Sequence, residues 1–216
     1  MNKTKTLYLV RHAQSLPIPK HGFAGWPLSE VGTAQAEQLA DLLGPLGIEQ
    51  AFASPFTRAL DTVSPFAKKH GLEIEIVPDL RERLITNDNC HPSEEVWQKS
   101  WADFSFALPG CESSTAAQAR ICRAVVDIAG RTRRVSALFT HGNVIGLFLN
   151  SLDAGYGRLE AEALTNPDVI KVDYGDVDLR WDSQFRLAGL ERIATAHLSM
   201  PGGSNFEAAL SATPRR

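Results

Sequence analysis

The stretch LYLVRHAQS, Leu7 to Ser15, decides which fold we expect for this chain. Its first four residues are apolar and predict a short buried strand. Arg11 and His12 follow at once, so two basic side chains stand where that strand ends. A charged group at the end of a buried strand needs a partner. The pair therefore predicts a binding site at this edge of a sheet.

The composition is that of an ordinary globular protein, with 216 residues, 44% of them hydrophobic and 22% charged. The formal net charge of -3 gives no sign of a nucleic-acid or membrane-surface protein. The longest apolar region, 137–149, is shorter than the roughly 20 residues that a membrane span needs. Three irregularly spaced cysteines indicate a reduced, cytoplasmic protein. They are Cys90, Cys111 and Cys122.

Apolar runs alternate with amphipathic segments along the chain, which predicts a three-layer α/β/α sandwich with a mostly parallel central sheet. Ser29 is expected to cap the first helix. Pro65 is expected to kink or divide the second helix. Two further strands are predicted at 168–174 and 177–181.

We expect one domain over residues 1–199, because no linker-like composition divides the chain. Residues 83–110 show no clear period and are interpreted as a partly helical insertion over the predicted site. Its aromatic side chains are expected to pack into the core in preference to lining a cleft; they are Trp97, Trp101, Phe104 and Phe106. Residues 200–216 are small and polar and predict a flexible tail.

Three basic motifs lie where predicted strands end. Arg11 and His12 follow LYLV, Arg58 lies early in the helix after a second strand, and His141 directly follows VSALF. Ligands bind at the carboxyl ends of the strands in open α/β sheets. If these ends are neighbours, two arginines and two histidines converge on one pocket.

Such a pocket is suited to a phosphoryl group. Arginine side chains match phosphate oxygens with paired, charge-assisted hydrogen bonds. Gly142 would let the backbone approach an oxyanion closely. Asn143 is expected to be the N-cap of the last helix, whose N–H groups would donate to the same phosphate.

A neutral imidazole is a good nucleophile for phosphorus and would give a covalent phosphoenzyme. Nearby arginines should lower its pKa and keep it neutral, while a protonated second histidine would add positive charge. The leaving alkoxide then needs a proton, which a carboxylic acid could give. The segment PDLRERL offers both Asp79 and Glu82, and the residues alone do not separate them.

Five stretches resemble, in order, the motifs of the histidine phosphatase superfamily, which has the phosphoglycerate mutase-like fold. One such motif alone would be weak evidence, but five in the family's order are strong evidence. They cover about residues 7–150. The five stretches are LYLVRHAQS, PLSEVGTAQAEQLA, FASPFTRALDT, LRER and THGNVI.

The resemblance assigns a role to each motif residue. It implies that His12 is the phosphorylated nucleophile. It implies that Glu82 first protonates the leaving group and then activates water. Phosphate binding falls to Arg11, Arg58 and His141, with Asn143 added from the helix argument. Gln14 and Ser15 are expected as substrate contacts.

The chain departs from the family's pattern at three positions after the nucleophile. Ala13 stands where glycine is usual, and Gln14 where glutamate is common. Many relatives carry a phosphate-binding asparagine at the position of Ile18. The segment after Glu82 also lacks the Tyr-Gly and Lys pattern with which the mutases hold phosphoglycerate, which favours a phosphatase.

The sequence therefore predicts a metal-independent phosphomonoester hydrolase without a cofactor. Its substrate would be a small phosphorylated metabolite or a phosphoprotein, with no nucleic-acid or membrane partner, and a homodimer stays open. One alternative is a phosphotransferase of the phosphoglycerate mutase type. The other is a non-catalytic module that binds a phosphorylated ligand, which the departures at Ala13 and Ile18 suggest.

Overall fold

A computed structural model describes residues 4–87, 91–175 and 178–194. Within these residues six strands form one sheet, in the spatial order β3-β2-β4-β1-β5-β6. The strands are β1 Lys5–Arg11, β2 Gln50–Ala53, β3 Ile74–Ile76, β4 Val135–Thr140, β5 Asp168–Gly175 and β6 Asp178–Trp181. The two predicted late strands are thus confirmed as β5 and β6, although Val177 lies outside the described residues.

Helices connect the strands and cover the sheet. They are α1 Glu30–Leu43, α2 Thr57–His70, α3 Glu94–Ala102, α4 Ser114–Arg131, α5 Gly142–Leu152 and α6 Arg158–Ala163. Ser29 caps α1 as predicted, because its side chain accepts a hydrogen bond from the backbone N–H of Gly32. None of the helices in the described ranges is long and apolar enough to cross a membrane.

The predicted α/β sandwich with a mostly parallel sheet is confirmed. Strands β3, β2, β4 and β1 are parallel neighbours, while β5 and β6 run antiparallel at the other side of β1. Because successive side chains point to opposite faces of a strand, Leu7 and Leu9 pack with α4 and α5, and Tyr8 and Val10 pack with α1 and α2. Both faces of β1 are therefore buried, which explains its uninterrupted apolar run.

Of the two effects predicted for Pro65, a kink or a division of the second helix, the division is wrong. Helix α2 runs from Thr57 to His70 with Pro65 inside it. Proline removes one backbone hydrogen bond from a helix. Val63, Phe66 and Ala67 are buried on either side of Pro65, and we attribute the continuous helix to the burial of these side chains.

Residues 83–110 contain α3 and are partly helical, as predicted. Trp97 and Trp101 are buried in the hydrophobic core, and Phe104 packs against it. The buried Arg83 holds the start of this segment to α4, since its Nη1 donates to Ser114 Oγ at 2.6 Å. The predicted tail, 200–216, lies outside the described residues.

Candidate active site

One cleft opens at the carboxyl ends of β1, β2 and β4. Arg11 and His12, at the end of β1, line it together with Arg58 near the start of α2. Glu82 and Asn143 lie on its wall as well. The side chains that the sequence predicts at separate strand ends are thus brought together by the parallel strand order.

The hydrogen bonds of His12 fix the position of its proton. Its Nδ1 lies 2.7 Å from the carbonyl oxygen of Ala13, which can only accept, so Nδ1 carries the hydrogen. Its Nε2 accepts from Arg58 Nε at 3.2 Å and therefore has the lone pair. Burial, and then the charges of Arg58 and Arg11, lower the pKa of His12 well below its ordinary value. The ring is neutral, with a lone pair on Nε2.

The backbone beside His12 is held from two sides. Asn166 Nδ2 donates to the carbonyl oxygen of His12 at 2.8 Å. The N–H of Ala13 donates to Thr62 Oγ1 at 3.0 Å, and that hydroxyl donates to the carbonyl oxygen of Arg58. His12 and Arg58 are therefore linked through Thr62, which the sequence analysis did not single out.

Three aromatic rings surround the guanidinium group of Arg58. Its guanidinium carbon is 4.7 Å from the ring centre of Phe23, 5.0 Å from that of Phe56 and 5.7 Å from that of Trp26. Its Nη1 donates to the carbonyl oxygen of Phe23 at 2.7 Å. Burial lowers the pKa of Arg58 to about 10, so the group stays charged at neutral pH. The rings hold this cation in place by cation–π attraction.

Gly142 makes room for Arg11, which is a different role from the expected approach to an oxyanion. A Cβ at Gly142 would lie 2.8 Å from Cζ and Nε of Arg11. The guanidinium also donates from Nη1 to the carbonyl oxygen of Leu164 at 2.7 Å. Burial lowers the pKa of Arg11 to about 10. The first turn of α5 and the segment before β5 thus fix the second cation of the cleft.

The carboxylate of Glu82 lies at the N-terminus of α5. It accepts hydrogen bonds from the backbone N–H groups of Arg83 at 2.8 Å, Asn143 at 3.1 Å and Val144 at 3.2 Å. The helix N–H groups that the sequence analysis expected on a phosphate are therefore bonded to Glu82. A helix N-terminus is a favourable place for a carboxylate.

Asp79, the other candidate acid, lies elsewhere. Its side chain is about half exposed and pairs with Arg81 Nη1 at 3.1 Å. Asp79 does not occur among the described residues that line the cleft, whereas Glu82 does. The geometry therefore separates two carboxylates that the residues alone left equal.

His141 lies beside His12 and is fully buried. The ring centres of the two histidines are 5.2 Å apart, and His141 Nε2 is 2.7 Å from Ser54 Oγ. Burial, and then Arg58, lower the pKa of His141 well below its ordinary value. The charge that a protonated His141 would add is therefore disfavoured by burial, and Nδ1 of the ring has no hydrogen-bond partner in the described part of the chain.

Asn143 is not the N-cap of α5, contrary to expectation. His141 occupies the cap position, and Asn143 is the second residue of the helix, because α5 begins at Gly142. Its side chain is 7% exposed. Neither polar atom of its amide has a hydrogen-bond partner in the residues described. Asn143 therefore brings an unused donor and an unused acceptor to the wall of the cleft.

The two expected substrate contacts differ in position. Ser15 lines the cleft, while Gln14 is absent from the described residues that do so. The Gln14 amide oxygen accepts from Ser29 Oγ at 2.7 Å. Its backbone carbonyl meets α1 so closely that a Cβ at Gly32 would lie 1.9 Å from that oxygen. Gln14 thus joins the loop after His12 to the first helix.

Sequence reasoning assigned no role to three aromatic residues of the cleft, Phe23, Trp26 and His91. Phe23 and Trp26 belong to a Pro- and Gly-containing loop without a period, so no pattern marked them. The one available signal was two large aromatic residues in the loop that directly follows the motif LYLVRHAQS.

The sequence matches the family model of the histidine phosphatase superfamily, branch 1, over residues 7–184. The chain belongs to the histidine phosphatase superfamily. The resemblance of its five motifs to this family is thereby confirmed, since all five lie inside the matched range. Members of the superfamily similar to this chain include phosphatases and mutases.

Three relatives show what this superfamily member is similar to. An uncharacterized Mycobacterium tuberculosis protein (strain ATCC 25618 / H37Rv) is 45% identical over 103 residues, 45% of this chain and 51% of that protein, so the match spans about half of the relative. A probable phosphoglycerate mutase GpmB of Yersinia pestis (strain Pestoides F) is 28% identical over 213 residues, 90% of this chain and 95% of that protein. A mycobacterial glucosyl-3-phosphoglycerate phosphatase, solved with inorganic phosphate, has a TM-score of 0.67 at 20% identity, covering 87% of this chain and 99% of that one.

Proposed function

We propose that this histidine phosphatase superfamily member is a metal-independent phosphomonoester hydrolase that works through a phosphohistidine at His12. One observation carries the proposal. The Ala13 carbonyl holds the proton of a neutral His12 on Nδ1, which leaves the lone pair of Nε2 in a cleft with two buried arginines. A neutral nitrogen nucleophile beside fixed cations is what phosphoryl transfer requires.

The first step forms the phosphoenzyme. Phosphate oxygens take hydrogen bonds from Arg58 and Arg11, and Arg58 Nε thereby releases the lone pair of His12 Nε2. Nε2 attacks phosphorus, the ester P–O bond breaks, and the leaving oxygen takes a proton from Glu82, which enters this step in its protonated form. Buried arginines stabilise charge on the equatorial oxygens more strongly than the same groups would in water.

The second step returns the enzyme to its starting state. Glu82, now ionised, takes a proton from a water molecule, whose oxygen attacks phosphorus. The P–N bond breaks, inorganic phosphate leaves, and Nε2 of His12 regains its lone pair. Asn143, Ser15 and Nδ1 of His141 are proposed as further contacts to phosphate or substrate, because Asn143 and Ser15 line the cleft, and the Asn143 amide and Nδ1 of His141 have no hydrogen-bond partner in the described residues.

The wall of the cleft favours hydrolysis over transfer to a second hydroxyl. Directly after Glu82 the cleft is lined by Arg83, Leu84, Ile85 and Thr86; Arg83 is bonded to Glu112 and Ser114, and no lysine occurs among the described lining residues. A mutase has to hold a phosphoglycerate, with its carboxylate, through both transfers. Mutase activity stays the second candidate because the probable phosphoglycerate mutase GpmB aligns with 90% of the chain.

Phosphate release from 4-nitrophenyl phosphate in excess EDTA tests the proposal. We expect unchanged turnover with the chelator and a loss on the order of 10³-fold or more in His12→Ala, since removing the nucleophile removes the two-step route. The exposed His21 gives the matched control, His21→Ala, which should turn over normally. Acid-labile phosphate should accumulate on the wild-type chain and be absent from His12→Ala.

Other outcomes select the alternatives. Full activity in His12→Ala would refute the mechanism, and loss of activity in EDTA would refute the metal-free route. Isomerisation of phosphoglycerate that outpaces phosphate release would identify a mutase. A chain that binds phosphate but acquires no acid-labile phosphate from any donor would be a binding module.

A further inference from the structure

Beyond the phosphate-binding groups, the cleft is walled by apolar and aromatic side chains. They come from the loop after β1, from the segment after Glu82 and from α3 and α6. The residues that form this outer wall are Phe23, Trp26, Leu84, Ile85, Trp97 and Ala161. A leaving group bound here meets ring faces and methyl groups over most of its surface.

The positively charged side chains that line the cleft are already committed, either to the phosphate position or to hydrogen bonds within the protein. Arg11 and Arg58 are the pair that faces the phosphate position. Arg83 also lines the cleft, but it is 1% exposed. Its guanidinium donates to Ser114 Oγ at 2.6 Å and to the carbonyl oxygen of Glu112 at 2.8 Å. The described lining residues therefore offer no further cation to a second anionic group.

The charged residues on and beside α6, the helix that contributes Ala161 to the cleft, leave no spare positive charge. Arg158 is on this helix, and its Nη1 is 2.5 Å from a carboxylate oxygen of Glu162 and 3.5 Å from one of Glu94. Glu162 in turn accepts from Trp97 Nε1 at 2.7 Å. These neighbours of the lining residues Trp97 and Ala161 therefore supply no spare cation to a carboxylate on the leaving group, whose desolvation would cost free energy.

Neutral polar atoms without partners lie between these walls. Trp26 Nε1, His91 Nε2 and both polar atoms of the Asn143 amide have no hydrogen-bond partner in the described ranges. Trp26 and Asn143 are 1% and 7% exposed. Buried polar atoms normally have partners, so these unfilled positions match a ligand that carries uncharged donors or acceptors.

His91 and Trp26 form one aromatic wall. Their ring centres are 5.1 Å apart in an edge-to-face arrangement. Burial, and then Arg58 and Arg11, lower the pKa of His91 to about 4, so its ring is neutral at neutral pH. A flat ring bound against this pair gains the stacking and edge contacts that aromatic groups favour.

We propose that the substrate is the phosphate monoester of an uncharged alcohol that carries a flat ring, and that His91 and Trp26 determine this specificity. The inference rests on the proposed function and adds the class of leaving group to it. It excludes phosphoglycerates as good substrates, because their carboxylate finds no cation in the outer wall.

Matched pairs of esters test the proposal on the purified full-length chain. Benzyl phosphate and 4-carboxybenzyl phosphate share the same leaving oxygen and differ in one remote charge, and 3-phosphoglycerate gives a ring-free anion. We expect kcat/KM for benzyl phosphate to exceed that of either anionic ester by about 10-fold or more. A 4-hydroxymethyl group on the ring should keep or raise kcat/KM.

A positive charge introduced at position 91 should reverse the preference for the uncharged ester. His91→Arg supplies the missing cation, so kcat/KM for 4-carboxybenzyl phosphate should rise relative to benzyl phosphate by about 10-fold. His70→Arg is the matched control, because His70 is exposed at the end of α2, and should leave the ratio unchanged. His91→Leu should lower kcat/KM for the hydroxymethyl ester more than for benzyl phosphate.

Failure of this inference is distinguishable from failure of the proposed function. Equal kcat/KM for the charged and uncharged esters, with no response to His91→Arg, overturns the inference while phosphate release still supports a phosphatase. If no ester is hydrolysed, the Kd values of benzylphosphonate and 4-carboxybenzylphosphonate test whether the cleft prefers an uncharged group. Tighter binding of benzylphosphonate, which lacks the carboxylate, supports the inference, and equal binding of the two compounds refutes it.

Discussion

At the scale of single residues, the cleft depends on close contacts that a methyl group would break. Gly142 lies against the guanidinium of Arg11, and Gly32 lies against the carbonyl of Gln14. Each contact fixes a loop that carries a proposed catalytic or phosphate-binding group. The two glycines are therefore needed because a side chain at either position would occupy the space of Arg11 or Gln14.

Gly142→Ala should lower activity more than stability. The new Cβ would displace the Arg11 guanidinium, so we expect kcat/KM for 4-nitrophenyl phosphate to fall on the order of 10²-fold, because a misplaced group costs that much in catalysis. Gly130→Ala is the control, since nothing lies within 4 Å of its Cβ position in α4. That change should raise the free energy of unfolding by about 0.5–1 kcal/mol. Equal activity in the two variants would refute the packing argument.

Glu82→Gln should affect poor leaving groups more than good ones. An alkoxide needs a proton as it leaves, whereas 4-nitrophenolate does not, so phosphate release from benzyl phosphate should fall about 10²-fold or more and the first step with 4-nitrophenyl phosphate far less. Burst kinetics separate that first step from the slow hydrolysis that follows. Asp79→Asn is the control and should behave like wild type, because Asp79 is half exposed and paired with Arg81. A selective loss in Asp79→Asn would reverse the assignment.

Residue identities in the cleft were predictable from the sequence, but several of their contacts were not. The positions of Arg11, His12 and Arg58 follow from the strand ends. The bond between Glu82 and the start of α5 joins residues 61 positions apart, and no local pattern shows it. The neutral state of His141 likewise depends on burial and on Arg58, which only the packed structure supplies.

At the scale of secondary-structure elements, Arg120 ties α4 to the segment that carries Glu82. Its Nε and Nη2 form a two-point bond to the carboxylate of Glu112 at 2.8 and 2.7 Å. Its Nη1 donates to the carbonyl oxygens of Asp79 and Arg81 at 2.7 and 2.9 Å. One buried guanidinium thus satisfies four acceptors and holds the approach to Glu82.

Arg120→Met should destabilise the chain strongly. The change leaves Glu112 and two backbone carbonyls without their donor, and losing one member of such a buried pair costs about 3 kcal/mol. Urea unfolding measures the loss. Arg123→Met on the exposed face of the same helix should stay within about 0.5 kcal/mol of wild type. If both variants are equally stable, Arg120 is not the structural tie described above.

The elements themselves were predictable where a period was strong. The uninterrupted apolar run of β1 and the capped start of α1 match the structure. A division of α2 at Pro65 was expected because the local cost of a proline was weighed without the burial of Val63 and Phe66. The loop with Phe23 and Trp26 has no period, so its place around Arg58 could not be predicted.

At the scale of the whole molecule, three histidines are neutral in the folded state because burial lowers their pKa values. They are His12, His91 and His141. In the unfolded chain each would have an ordinary pKa near 6.5. Below that pH the unfolded state binds protons that the folded state does not, so stability present at higher pH is lost as the pH falls.

We expect the free energy of unfolding to fall between pH 7 and pH 5. Each of the three histidines contributes a slope of up to about 1.4 kcal/mol per pH unit, and for His91 the window runs from about 6.5 down to about 4. Urea unfolding at several pH values measures the slope. His91→Gln should make it shallower, while His21→Gln, at an exposed site, should not. An unchanged slope in His91→Gln would contradict burial as the cause.

The Ala13 carbonyl has a consequence for the covalent intermediate. Because it holds the hydrogen on Nδ1 of His12, only Nε2 can bond to phosphorus without breaking that contact. The proposed mechanism is therefore regioselective, and we expect its intermediate to be the tele isomer of phosphohistidine. In the proposed mechanism, the backbone of a single alanine thus determines which of two chemically distinct phosphoramidates is formed.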